Sequence, residues 1–207
     1  MSELSSLLNL SPVVPVVVVD SAEQGVSIAK ALVAGGIKVI EMTLRTPAGL
    51  EAIRAIADEV PEIVVGAGTV TSPQRAADAA AAGSKFLVSP GLTPSLLSAM
   101  RDTGLPFLPG TATVSEVLAV VEAGITEMKF FPAETSGGVP FLSGLTTVVP
   151  EARFCPTGGI KVHTAPNYLE LANVGCVGGT WLTPADALAA GDWERITKLA
   201  AEAAALA

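Results

Sequence analysis

The chain has 207 residues, half of them hydrophobic, with 15% charged and 4% aromatic. That length and composition can bury one large core of Ala, Val, Leu and Ile, and they exclude a disordered chain. A formal net charge of -8 argues against a nucleic-acid or anionic-membrane partner, although local Arg, Lys and backbone N–H groups can still hold an anionic metabolite.

Residues 1–11 carry neither the basic stretch nor the small-residue cleavage site of a secretory signal. The apolar run 13–19 reads as a strand, interrupted by Pro15, ended by Asp20 and far short of a membrane span. A helix over 22–33 follows, closed at Ala34-Gly35-Gly36. Residues 38–44 read as a strand and 47–58 as a helix opened by Pro47. Strand 63–65 leads into Gly66-Ala67-Gly68-Thr69, and the helix 73–82 ends before Gly83. Strand 85–88 runs into Ser89-Pro90-Gly91 and the helix 94–101. Strand 106–108 reaches Pro109-Gly110, and the helix 114–122 closes at Gly124. Strand 127–131 precedes the helix 138–148. Strand 153–155 enters Pro156-Thr157-Gly158-Gly159, followed by the helix 165–172. Strand 175–177 enters Gly178-Gly179-Thr180, and a last helix covers 192–206.

These are eight strand–helix units of roughly 20–25 residues, and their strands are near-continuous apolar runs of the kind found in a parallel sheet covered on both faces. Eight units in one chain predict a closed (β/α)8 TIM barrel, a single domain over 1–207, rather than an open doubly wound sheet. Glycine, proline and small polar residues cluster after the third, fourth, fifth, seventh and eighth strands, the end of such a barrel that carries the active site.

Two ionisable residues interrupt apolar strands, where charge is costly unless it is paired or used. Glu41 lies in Val39-Ile40-Glu41-Met42-Thr43-Leu44 and Lys129 in Met128-Lys129-Phe130-Phe131. On the second and sixth strands of an eight-stranded ring they would face each other across the mouth, with a substrate-sized gap between them. Desolvation disfavours an ammonium ion and leaves a neutral amine able to attack a ketone. A structural Glu41–Lys129 ion pair is the alternative. Arg45, four residues after Glu41, is placed to hold a substrate carboxylate, or is a solvated loop charge.

Gly158-Gly159 and Gly178-Gly179 end adjacent strands, where barrels of this type bind phosphate through close backbone N–H groups; turn chemistry alone is the competing account. Cys155 and Cys176 sit in apolar runs and read as buried free thiols, consistent with a reducing cytoplasm. The single histidine, His163, reads as an exposed loop residue and cannot build a multi-histidine zinc site. A mechanism without metal or other external cofactor is therefore expected.

Five segments, in order along nearly the whole chain, resemble the class I 2-keto-3-deoxy-6-phosphogluconate (KDPG) and 2-keto-4-hydroxyglutarate (KHG) aldolases. They are Glu41-Met42-Thr43-Leu44-Arg45-Thr46, Val65-Gly66-Ala67-Gly68-Thr69-Val70, Ser89-Pro90-Gly91-Leu92, Lys129-Phe130-Phe131-Pro132-Ala133-Glu134 and Arg153-Phe154-Cys155-Pro156-Thr157-Gly158-Gly159-Ile160. Gly178-Gly179-Thr180-Trp181-Leu182 and Pro184-Ala185-Asp186-Ala187-Leu188 extend the likeness. The resemblance implies a Schiff base on Lys129, with Glu41 as acid/base. It implies that Arg45, Thr69 and Pro90 surround the substrate carboxylate, that Phe131 packs beside the imine and that Thr157 lies near the reacting carbons. Gly158, Gly159, Gly178, Gly179 and Thr180 would cradle a phosphate; Thr180 stands where some members carry serine. It further implies a phosphorylated 2-keto acid as substrate, a homotrimer, no nucleic acid or membrane partner, and Entner–Doudoroff sugar-acid catabolism. Hydroxyglutarate cleavage is the nearest rival reading, oxaloacetate decarboxylation a side reaction, and a non-catalytic phosphometabolite-binding or assembly subunit the rival from another class.

Overall fold

Val13–Val17 (β1), Val39–Thr43 (β2) and Val64–Gly68 (β3) lie side by side in the computed structural model, which describes residues 6–206. Leu87–Val88 (β4), Phe107–Leu108 (β5), Gly110–Thr111 (β6), Glu127–Phe130 (β7), Arg153–Pro156 (β8) and Val177–Gly179 (β9) complete the strands. All the named pairings are parallel. The order is β5-β4-β3-β2-β1-β9 in one sheet and β6-β7-β8 in another. Two isolated parallel bridges, Phe154 to Val174 and Thr157 to Gly178, tie β8 to the β9 edge. The result is an α/β fold with a curled parallel sheet.

The helices are Ala22–Ala34 (α1), Gly49–Glu59 (α2), Pro73–Ala81 (α3), Pro94–Asp102 (α4), Val114–Glu122 (α5), Gly138–Val148 (α6), Ala165–Leu169 (α7), Ala185–Ala190 (α8) and Trp193–Ala204 (α9). Their starts are written in the loops after the strands. Ser21, Ser72, Thr93 and Thr113 each accept a hydrogen bond from a first-turn amide, and Thr113 and Glu116 form a reciprocal capping box.

Alternation along the strands sorts core from interior. Met42 sits below α1, where its Cε comes within reach of Gly25, and the intervening Glu41 turns the other way. On β7, Phe130 stacks on Phe141 of α6 at 5.0 Å and meets Phe154 of β8 edge-on at 6.4 Å. That anchoring of Phe130 commits its neighbour Lys129 to the opposite face.

Several elements differ from the sequence reading. Gly66, Ala67 and Gly68 lie within β3, and Gly178 and Gly179 within β9, not in loops after those strands. They are strand glycines because neighbours occupy the space of their missing side chains. A Cβ on Gly66 would overlap the Phe86 ring, on Gly68 the Glu41 carboxylate, on Gly178 the Thr157 side chain, and on Gly179 the Trp181 ring. The helix expected from Pro47 begins at Gly49, and the one expected over 165–172 ends at Leu169. The helix α8 and the strand β6 were not anticipated.

Candidate active site

The second and seventh strands bring Glu41 and Lys129 together. Lys129 Nζ donates to Glu41 Oε1 at 3.0 Å and to Oε2 at 3.3 Å. The Glu41 side chain is 3% exposed and that of Lys129 6%. The expected gap between them is absent and the alternative, a direct ion pair, is what forms: the carboxylate occupies the space beside Gly68 and reaches the amine. The contact is a ready proton path, since moving one proton from nitrogen to oxygen turns an ion pair into a neutral amine beside a neutral acid. The Phe131 ring lies 5.5 Å from Nζ, covering the amine on the side of the loop that leaves β7.

A cavity of about 280 Å³ opens at Phe131, the residue that covers the amine; Glu41 and Lys129 are not themselves part of its lining. Arg45, Phe131, Thr157, Gly158, Gly159, Gly178 and Thr180 line it together with Val16 and Ile160. Gly158 and Gly159 have φ of 103° and 82°, values that glycine adopts without strain. Their loop is packed from outside by Glu134, whose amide donates to the Gly158 carbonyl at 3.1 Å and whose side chain fills the space beside Gly159. Tyr168 of α7 donates its hydroxyl to Glu134 Oε1 at 2.9 Å. Burial, then that hydrogen bond and the carboxylate's charge, hold the phenol above its ordinary range.

The remaining anticipated residues stand around this cavity rather than in its lining. Thr69 accepts from Arg45 Nε at 3.3 Å. Pro90 closes on Gly110, the register partner of Lys129, so closely that a Cβ on Gly110 would overlap the Pro90 backbone. Ser89 Oγ accepts the Gly110 amide at 3.3 Å from the same turn. Gly179 faces Trp181, away from the cavity's lining. His163 is exposed in a turn. Cys155, the register partner of Lys129 on β8, and Cys176 are buried free thiols; the hydrogen-bonding neighbour Cys155, with burial, pushes the Cys176 thiol up.

Three participants escape sequence reasoning. Val16 and Ile160 are apolar residues with no distinguishing pattern. Arg75 lies in the first turn of α3 and folds back to donate to the Thr69 carbonyl at 3.1 Å, which no helical spacing reveals. Among the described residues no group of three or more His, Cys, Asp and Glu stands close enough to hold a metal ion.

The model of the family described as KDPG and KHG aldolase matches residues 4–199. The chain is 54% identical over 198 residues to the KHG/KDPG aldolase of Escherichia coli K12, covering 96% of this chain and 93% of that protein. It is 46% identical over 205 residues to the 2-dehydro-3-deoxy-phosphogluconate aldolase of Zymomonas mobilis, covering 99% and 97%. The crystal structure of a KDPG aldolase from Legionella pneumophila, with pyruvate captured as a covalent carbinolamine, superposes with a TM-score of 0.93 at 42% identity, over 95% of this chain and 96% of that one. With the paired Glu41 and Lys129, the adjoining cavity and near-complete coverage by these relatives all in agreement, this chain belongs to the KDPG and KHG aldolase family.

Proposed function

We propose that the chain is a class I aldolase that cleaves KDPG to pyruvate and glyceraldehyde 3-phosphate through a Schiff base on Lys129, without a metal or other cofactor. The observation that carries this reading is the buried 3.0 Å contact between Lys129 Nζ and Glu41 beside a cavity of substrate size. Transfer of the Nζ proton to Glu41 frees the amine to attack the C2 ketone, and the acid then returns a proton to the departing hydroxyl as the iminium forms. The C4 hydroxyl gives up its proton to Glu41, through water, as the C3–C4 bond breaks. The bonding pair flows into the iminium and leaves an enamine. Protonation at C3 and hydrolysis release pyruvate and regenerate the amine.

The two ends of the substrate have matching partners. Among the described residues neither terminal guanidinium nitrogen of Arg45 has a hydrogen-bond or ion-pair partner, which suits a carboxylate, with Thr69 and the Pro90 turn beside it, while Phe131 flanks the imine and Thr157 the reacting carbons. The left-handed Gly158-Gly159 loop, with Gly178 and Thr180, offers backbone N–H groups and a hydroxyl to a phosphate. Gly179 belongs to the same cradle through its backbone. A relative that holds pyruvate covalently, and a Zymomonas mobilis KDPG aldolase structure containing 3-phosphoglycerate, fit these two ends.

The same proposal includes closure of the two sheets into one (β/α)8 barrel forming a single domain. Pro109 supports it: β5 and β6 are one strand that changes partner there, Leu108 accepting from Ser89 on one side and Pro109 from Lys129 on the other. The bridges from β8 to the β9 edge support closure at the second seam. The homotrimer and the cytoplasmic setting implied by the resemblance remain part of this reading; among the described residues no helix is long and apolar enough to cross a membrane.

The KHG/KDPG name of the E. coli relative keeps hydroxyglutarate as the second substrate to test. Purified protein should turn over KDPG with the higher kcat/KM, and Lys129→Ala should remove turnover of both substrates while leaving a folded protein. Retained cleavage in Lys129→Ala sinks the reading. A preference for KHG shifts it to the second substrate, and binding without turnover of either makes it a binding module.

A further inference from the structure

Thr69 is the single non-glycine residue with a positive φ among the described residues, at 60°. A β-branched side chain in the left-handed region is strained, and such a geometry persists only where the surroundings over-determine it. The flanking backbone is held by ladder bonds, Leu44 N–H to the Gly68 carbonyl at 2.9 Å and Val70 N–H to the Val88 carbonyl at 3.1 Å, and two guanidinium groups hold Thr69 itself. Arg75 Nη1 donates to the Thr69 carbonyl at 3.1 Å and to Thr71 Oγ1 at 3.2 Å. Its own backbone is pinned, because its amide donates to the Ser72 cap at 3.3 Å. From the other side Arg45 Nε donates to Thr69 Oγ1 at 3.3 Å.

Arg45 is exposed, lies just beyond β2, and makes no ion pair among the described residues. Without a fixed partner its long side chain would sample many rotamers, and a substrate would have to order it on binding. Thr69 Oγ1 is that partner, and it is aimed at Nε only while the backbone holds the left-handed turn. Relaxation of Thr69 to an ordinary φ would swing Oγ1 off Arg45.

We propose that Arg75 is a positioning residue for the carboxylate end of the substrate: it restrains Thr69 in the strained conformation that orients Arg45. This rests on the reading that Arg45 and Thr69 receive the carboxylate. Arg75 Nη1 makes both bonds to the 69–71 turn, and through them its effect passes by way of Thr69.

The test uses the full chain, with pyruvate as the probe and borohydride to trap the imine on Lys129. Arg75→Met should raise the pyruvate concentration for half-maximal trapping by about three- to tenfold, with the same trapping at saturation. Inhibition of KDPG cleavage by inorganic phosphate should stay unchanged. Arg75→Lys, which keeps a charge and a donor at the turn, should recover most of the loss. Thr69→Gly removes both the strain and the Oγ1 that holds Arg45 and should itself weaken pyruvate trapping, so Arg75→Met added to Thr69→Gly should cause no further loss. That double variant also serves if Arg75→Met folds poorly. An unchanged half-saturation in Arg75→Met, an equal loss at the phosphate end, or a further loss in the double variant overturns the proposal. Absence of trapping in the parent protein instead overturns the aldolase reading on which it rests.

Discussion

Gly68 shows how a residue without a side chain can set the chemistry of its neighbour. The Glu41 carboxylate occupies the volume a Cβ at Gly68 would need, and from there it meets Lys129 at 3.0 Å. Gly68→Ala should push the carboxylate off the amine, and misplacement of a reacting group by 1 Å costs on the order of 100-fold in rate. Steady-state kinetics on a variant with a near-normal melting curve checks this. Removing one member of the pair has a second consequence: Lys129→Met leaves a buried carboxylate without its partner and should destabilise the protein by about 3–5 kcal/mol, measured by urea unfolding. Glu41 and Lys129 were legible in the sequence because a charge inside an apolar strand is conspicuous. Their direct contact was legible only as the alternative to a substrate-sized gap, since spacing along the chain does not give the distance across the interior. The same limit explains Gly178 and Gly179, which look like loop residues until the Thr157 and Trp181 side chains that displace a Cβ are seen.

At the scale of the element, helix starts were the most readable feature. Ser or Thr just before an apolar period, often followed by Pro or Glu, marks α1, α3, α4 and α5, and the caps form there. Thr113→Ala removes the hydroxyl that accepts the Glu116 amide, the side-chain half of the capping box on α5, and should cost about 1 kcal/mol, read from chemical denaturation with activity unaffected. Strand ends were less readable. Pro109 looked like the end of a strand because it cannot donate to a ladder, yet its carbonyl accepts from Lys129 and the strand continues as β6. The last strand lies two residues later than its apolar run suggested, since a glycine pair carries no hydrophobic signal even where it is buried. The short α8 lacks a side-chain cap and has too few turns to show a period.

For the whole molecule, the alternation of eight strand–helix units predicted the α/β class and the parallel pairing, because each short apolar strand needs a covering helix on its way to the next. Long-range ties were not legible. Tyr168 and Glu134, 34 residues apart, bind α7 to the loop after β7, and they give the fold an alkaline limit. The unfolded phenol ionises near pH 10 whereas the folded one is held protonated to higher pH. A raised folded value means that this stabilisation is complete below pH 10 and falls away as pH rises further. Melting temperature should therefore decline above pH 10, and more shallowly in Tyr168→Phe; equal slopes for the two proteins would remove Tyr168 as the cause.

The proposed chemistry is covalent: Lys129 forms an imine with the substrate's ketone. Incubation with pyruvate and borohydride, followed by peptide mass spectrometry, tests it most directly. A reduced pyruvyl adduct is expected on Lys129 and on no other lysine. A folded protein that acquires no adduct, or acquires one elsewhere, would contradict it.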